Sequence, residues 1–323
     1  MKRLSAESPK AIDMGTLCEL FGRSRQAYYD RVERESVKIE VYAILEDIVV
    51  EYVKDNRKID PRIGGLKLWS MFTEHVEGRY QIGRDAFFDI LRDNDLLVKA
   101  RKRSTRTTFS YHEFYKWPDL RVSFIPTSIN QLWVADITYV VFTEDGKRLF
   151  SYLSLVQDGY SREIIGYKLA RTMEAEYCIE ALRMALERLN GIKREDINLI
   201  HHSDRGKQYA SSAYVSALQE TGIRISMTEN GDPHDNPQAE RINETVKCEF
   251  FNDDTERLSF EEIENRLKEI VDYYNNKRPH MSLNMMTPRQ AAMLNGEIPK
   301  RWHSYRDQAI KALEEQTLEE QTL

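Results

Sequence analysis

The stretch LWVADITYVVF, residues 132–142, decides the architecture. It is dense in β-branched and aromatic residues, the types that fit a pleated, half-buried surface. TEDGK (143–147) follows it and supplies an Asp-Gly turn, and RLFSYLSLVQD (148–158) and EIIGYKLA (163–170) repeat the strand texture. Two such runs joined by Asp-Gly read as a hairpin, and the third extends it to a meander of three strands. One residue does not fit: Asp136 interrupts the apolar run.

Downstream the period changes. In residues 175–190, Cys178, Leu182, Ala185, Leu186 and Leu189 fall on one helical face. INLIHHSD (197–204) is a short apolar strand with a polar end, SSAYVSALQETG (211–222) a helix stopped by Gly222, and RISMT (224–228) another short strand. NPQAERINETVKCEFF (236–251) predicts a helix with Asn236 as N-cap and Pro237 at its first position. FEEIENRLKEIVDYYNNKR (260–278) predicts a long amphipathic helix. Three strands, helix, strand, helix, strand, helix is the order of an α/β unit, a sheet with helices packed on it, over residues 126–295.

Upstream the chain is helical. Residues 13–33 predict two short helices with a break at Gly22, and Ser24 caps the helix that carries Arg25, Gln26, Tyr28 and Tyr29. This is a helix-turn-helix outline, assigned to residues 1–35; a helical hairpin with no DNA role fits the spacing equally well. Within 36–110, Ile44, Ile48, Val49 and Val53 give one apolar face, Leu66, Leu68, Trp69 and Phe72 a second, and Phe87, Phe88, Ile90 and Leu91 a third. Three such helices can bury a small core. Lys99, Arg101, Lys102, Arg103 and Arg106 then form a basic run, either a DNA contact or a solvated linker. The end of the chain, 296–323, closes on the acidic repeat LEEQTLEEQTL, a frayed helix or a disordered tail.

Composition narrows the class. With 41% hydrophobic and 31% charged residues, the 323-residue chain reads as a globular protein of two or three domains. No stretch nears the roughly 18 apolar residues of a membrane span, and MKRLSAESPKAIDMG lacks the apolar run of a secretory signal. Cys18, Cys178 and Cys248 fit neither a disulfide framework nor a zinc spacing, so three reduced thiols in a cytoplasmic protein are expected. The net charge of -6 counts against strong non-specific DNA binding, although clustering matters more than the total.

Three acids carry the chemistry. A lone carboxylate in a β-core is costly unless it is paired or binds a cation, and Asp136 alone could simply tilt into solvent. Asp204 ends the second apolar strand in HHSDRG, at the kind of strand end where open α/β sheets hold ligands, though a loop Asp or a helix cap fits too. Glu240 stands at the start of a helix, where a solvated acid is helped by the helix dipole. Together they offer hard oxygens from two strands and one helix. That set suits Mg2+, which keeps several waters and needs few carboxylates, and two such ions can serve both the attacking and the leaving oxygen of a phosphodiester.

WVADITYV, HHSDRGKQY, SMTENGDPHDNPQAERINETVK and YYNNKRPHMSL occur in the order found in transposases of the insertion-sequence-three family, which this chain resembles over nearly its whole length. Residues 205–239, thirty-five in all, separate Asp204 from Glu240, the interval that family shares with retroviral integrases. GRSRQAYYDR and the segment through LRDNDLLVKARKR are similar to the family's N-terminal region. Pro237 and Gln238 depart from the small and aliphatic residues common there, and the low isoelectric point is unusual for it.

The resemblance implies an RNase H-like integrase core behind all-helical, helix-turn-helix-type DNA-binding modules. It implies Asp136, Asp204 and Glu240 as a catalytic acidic triad holding two Mg2+ ions, with Mn2+ able to substitute. The reaction would be DNA cleavage and strand transfer at the ends of an insertion sequence. Lys247 would meet DNA phosphate; its plain reading is a surface Lys paired with Glu244 or Glu240. Arg25 and Gln26 would reach base edges, with Arg23, Arg84, Arg101, Lys102 and Arg103 as further DNA contacts. Asn236 is read first as a cap, Asp158 as structural, His202 as shaping its loop, and Arg278, Pro279 and His280 as touching DNA or ending the domain. Partners would be double-stranded DNA (terminal inverted repeats and target), a companion protein from an upstream overlapping frame, and further copies of the chain on nucleoid DNA. The rival is a non-catalytic DNA-binding remnant that represses transposition; the presence of all three acids argues against it.

Overall fold

The computed structural model describes residues 13–99, 115, 117–122, 124–228, 236–251, 255–299, 308–310 and 312. The meander forms as its residues dictate: β1 (Leu132–Glu144), β2 (Lys147–Asp158) and β3 (Ile164–Ala170) pair antiparallel. The β1–β2 turn places Asp145 and Gly146 at φ 50° and 71°, the left-handed region that Asp-Gly accepts. β4 (Ile200–Ser203) and β5 (Arg224–Met227) then add parallel on the other side of β1, giving the order β3-β2-β1-β4-β5. Parallel strands need crossovers. α5 (Ala175–Leu186) lies between β3 and β4, and α6 (Ser212–Thr221), stopped by Gly222 at φ 82°, lies between β4 and β5.

Alternation along β1 divides the core. Trp133 and Ala135 pack with Cys178, Leu182, Tyr214 and Leu218 under α5 and α6. Val140 and Phe142 point the other way, toward Ile263, Leu267 and Ile270 of α8 (Phe260–Asn276). Ser259 and Glu262 form a capping box at the start of α8, which fixes where that helix begins. Between β5 and α8 stands α7 (Pro237–Thr245), continued by a π-helical turn, Val246–Phe250. A four-residue helix, α9 (Pro288–Ala291), follows α8.

The N-terminal part is helical as expected, with one correction. After α1 (Met14–Leu20), α2 runs unbroken over Arg25–Arg57, so the helix expected to end near residue 33 continues through residue 35. Ser24 caps it by accepting from Ala27 N at 3.1 Å, and no Gly or Pro interrupts the 33 residues that follow. Its apolar face is shorter than the spacing suggests: Val49 and Val53 are buried, whereas Ile44 is 58% exposed. α3 (Gly65–His75) and α4 (Arg84–Asp93) bury Leu68, Phe72, Phe87, Ile90 and Leu91 against α2. These side chains belong to the same apolar cluster as Val140, Phe142 and the α8 residues. Tyr273 Oη donates to Asn56 Oδ1 at 3.0 Å, and Arg266 to Lys58 O at 3.1 Å, across that junction. Among the described residues, no helix is long and apolar enough to cross a membrane.

Candidate active site

β1 and β4 run parallel with Trp133 opposite His201 and Val134 opposite His202. Two further steps in that register bring Asp136 level with Asp204, the first residue beyond β4. α7 is pinned to the same place. Asn236 is the N-cap, as expected, though it makes no side-chain cap bond among the described residues; its Nδ2 donates to Ala135 O at 3.3 Å, which ties the start of α7 to β1 one residue before Asp136. Gln238 strengthens the tie, donating to Gln157 Oε1 at 3.0 Å and to Asp158 O at 3.3 Å. Glu240 thereby stands in the first turn of α7, half-exposed beside the two strands.

The carboxylate of Asp136 is held on both oxygens. Oδ1 accepts from Ile137 N at 2.9 Å and Oδ2 from Asn243 Nδ2 at 2.8 Å. Burial pushes its pKa up to about 7, and the negative charges of Asp204 and then Glu240 push the same way, against the two hydrogen bonds. Asp204 Oδ1 accepts from Gly206 N at 2.9 Å, and a Cβ on Gly206 would sit 2.9 Å from that same oxygen. Beneath the acids, burial raises the Cys178 thiol to about 11, and Asp204 and Asp136 add to the rise. The three acids therefore concentrate negative charge at the strand ends, and they repel a phosphate unless cations intervene.

The donor set is oxygen throughout, which suits a hard divalent cation. Two buried amide oxygens, Asn236 Oδ1 and Asn243 Oδ1, have no hydrogen-bond partner among the described residues, and an orphaned buried acceptor calls for a ligand or water. Among the described residues, however, no three His, Cys, Asp or Glu side chains already stand close enough to hold a metal ion. The acids are coupled through their charges rather than drawn into a finished ligand set.

Asn243 is the residue the sequence reading missed. Its signal was present, since it follows Glu240 by three positions and so shares its helix face. Asp158 is structural: Oδ1 accepts from Tyr160 N, Ser161 N and Ser161 Oγ, and Oδ2 from Asn130 N. His202 is buried in β4, with Nδ1 2.9 Å from Ser226 Oγ. Arg278 is buried as well, bonded to Glu249 Oε2 at 2.7 Å and facing Asp60, so its role is internal. Lys247 lies half-buried on the π turn after α7. Arg23 and Arg25 are exposed, as are Gln26, bonded to Asp30 at 2.7 Å, and Arg84, paired with Asp85 at 2.8 Å. Arg101, Lys102 and Arg103 lie outside the described residues.

Comparison with known proteins shows the family. Residues 126–233 and 221–288 match two families, each described as an integrase core domain. The chain is 33% identical over 287 residues to the transposase for insertion sequence element IS629 of Shigella sonnei, covering 86% of this chain and 90% of that protein. It is 31% identical over 281 residues to the insertion element IS600 uncharacterized 31 kDa protein of the same organism, covering 84% of this chain and 96% of that one. A core that spans β1 to α8, inside a chain matched almost end to end by proteins of mobile elements, leaves one classification: the chain belongs to the insertion-sequence transposases with an integrase core domain, polynucleotidyl transferases that act in DNA transposition.

Proposed function

We propose that Asp136, Asp204 and Glu240 are the catalytic and metal-binding acids of this transposase, and that they cut DNA at an element end and join the freed 3′-hydroxyl to target DNA. The observation that carries the reading is the placement of Asp136, level with Asp204 in the β1–β4 register and bonded through Asn243 to the helix of Glu240, where burial and then the charges of Asp204 and Glu240 raise its pKa. Two Mg2+ ions, with Mn2+ as substitute, would supply the Lewis acidity that activates the attacking oxygen and stabilises the leaving one. The chain's own contribution is positioning. Asn243 fixes the orientation of Asp136, Gly206 N–H fixes Asp204, and the Asn236 and Gln238 bonds hold Glu240 in register with the strands. Lys247 would meet backbone phosphate. Arg23, Arg25, Gln26, Arg84 and the 101–103 run would bind the terminal repeat, with several copies of the chain and a companion upstream-frame protein on nucleoid DNA.

Cleavage and joining of a labelled element end, with Mg2+ and with chelator, tests this against Asp204→Asn. The variant should lose strand transfer, yet melt at or above the parent's temperature in chelator because one repelling charge is gone. Mg2+, binding only the folded state, should stabilise the parent by roughly 2.7 kcal/mol at a hundred times its Kd. Binding without cutting by the intact chain would instead favour the repressor reading. Lower metal-free stability in Asp204→Asn, with equal Mg2+ stabilisation of both proteins, would remove Asp204 from the metal site.

A further inference from the structure

The first half of α2 carries apolar side chains that the chain's own core does not cover. Val37, Val41 and Ile44 are each more than half exposed, and Ile48 is half-buried at the edge of the core cluster. Their spacings of four, three and four residues set them in one stripe along the helix. That stripe lies about a third of a turn around the helix from Val49 and Val53, which face the core. One face of α2 therefore holds it to its own chain, while a second runs for roughly 16 Å in water. Single apolar residues on a surface are ordinary, but a contiguous run of them marks an interaction site.

The charges beside the stripe identify what covers it. The spacing is that of a heptad, with Val41 and Ile48 at one seam position and Val37 and Ile44 at the other. Glu33, Glu40 and Asp47 then follow one flank of the seam, and Arg31 and Lys38 follow the other, all of them exposed. Arg31 meets Glu35 of its own helix at 2.8 Å, an exposed pair of little weight. A helix with acids on one flank and bases on the other matches a second copy of itself in parallel. The acidic flank of each copy then faces the basic flank of the other, and each Glu33 meets the partner's Lys38. Antiparallel pairing would set acids against acids and bases against bases. A companion of unrelated sequence would have no need of this self-complementarity.

We infer that α2 pairs in parallel with α2 of a second copy of the chain, along Val37, Val41, Ile44 and Ile48. The inference rests on the proposed function only in that several copies act together, and it is independent of the assignment of the acids. Sedimentation of the full chain tests it. The parent should self-associate, and Ile44→Asp should sediment as a monomer while keeping the parent's near-ultraviolet circular dichroism. Glu33→Lys and Lys38→Glu should each weaken association roughly tenfold, because like charges then oppose each other twice. An equimolar mixture of these two single variants should regain the parent's affinity. Val37→Cys and Ile44→Cys should each form a disulfide between identical positions under mild oxidation, located by peptide mapping, which only parallel helices allow at both places. A monomeric parent, parent-like association in Ile44→Asp, or no recovery on mixing would overturn the pairing. A disulfide at only one of the two positions would overturn its parallel sense. Asp204→Asn should self-associate like the parent, so normal cutting by that variant would sink the acid assignment and leave the pairing standing.

Discussion

Lys67 Nζ lies 3.0 Å from Glu249 Oε1, joining α3 of the helical part to the turn that follows α7. Arg278 reaches the same carboxylate at 2.7 Å, and Arg62 N donates to Glu249 O at 3.2 Å. Burial raises the pKa of Glu249, and the two cations more than offset it, holding the carboxylate ionised. Glu249 is therefore the polar joint between the N-terminal helices and the helix that carries Glu240.

Removing it should be costly. Glu249→Met leaves Lys67 and Arg278 buried with an anion lost, and breaking a buried pair from one side typically costs about 3–5 kcal/mol. The midpoint of urea unfolding should fall accordingly. Because the helices and the core share an apolar cluster, both should unfold in one transition; separate transitions for the two parts would contradict the shared core.

Asp60, fully buried against Arg278, sets a pH dependence. Burial and then the charge of Glu249 raise its pKa to about 7, against the pull of Arg278 and Lys67. Between its unfolded value, roughly 4, and 7, the folded state holds the proton more tightly, so this group's contribution to stability falls as pH rises through that window. Asp60→Asn removes the titration. The stability of the variant relative to the parent should therefore climb from pH 4 to 7 and level off above it, whatever its offset. A flat difference across denaturation curves at several pH values would refute this.

Gly166 lies on β3 under α5, and a Cβ there would sit 2.1 Å from Ala181 O and 3.2 Å from Ala185 N. Both are helix backbone and cannot swing aside. Gly166→Ala should push α5 off the sheet and destabilise by roughly 2–3 kcal/mol, in the range of an overpacked core. A thermal melt unchanged from the parent would show that α5 can shift freely.

Asn243 should matter to chemistry more than to folding. A hydrogen bond to a charged group contributes about 1.5–3 kcal/mol, so Asn243→Ala should slow cleavage roughly ten- to a hundredfold by freeing Asp136 Oδ2. Asn243→Asp puts a fourth carboxylate beside the first three and should lower the Mg2+ needed for half-maximal cleavage. Parent-like Mg2+ titrations for both variants would leave Asn243 without a role in positioning.

The residues 132–142, the Asp-Gly turn and Pro237 were enough to place β1, its hairpin partner and the start of α7, because strand period, turn conformation and helix initiation are local properties. The candidacy of Asp136 was equally local, a carboxylate set in an apolar strand. The helix of residues 25–57 was legible at Ser24 but not along its length, since its first half carries no buried face from which to count a period.

What the tertiary structure alone decided is which distant groups meet. Asn243 and Asp136 are 107 residues apart, and Lys67 and Glu249 are 182 apart. Asn236 holds the place expected of it, at the N-cap, but packing gives its side chain a distant partner, Ala135 O. Arg278 was read as touching DNA or ending the domain, and only burial against Glu249 and Asp60 made it internal. Local rules determine how each segment bends and which face is apolar. The partner of a polar side chain, and with it the ionisation of the acids, depends on the desolvation and proximity that arise only when the segments pack.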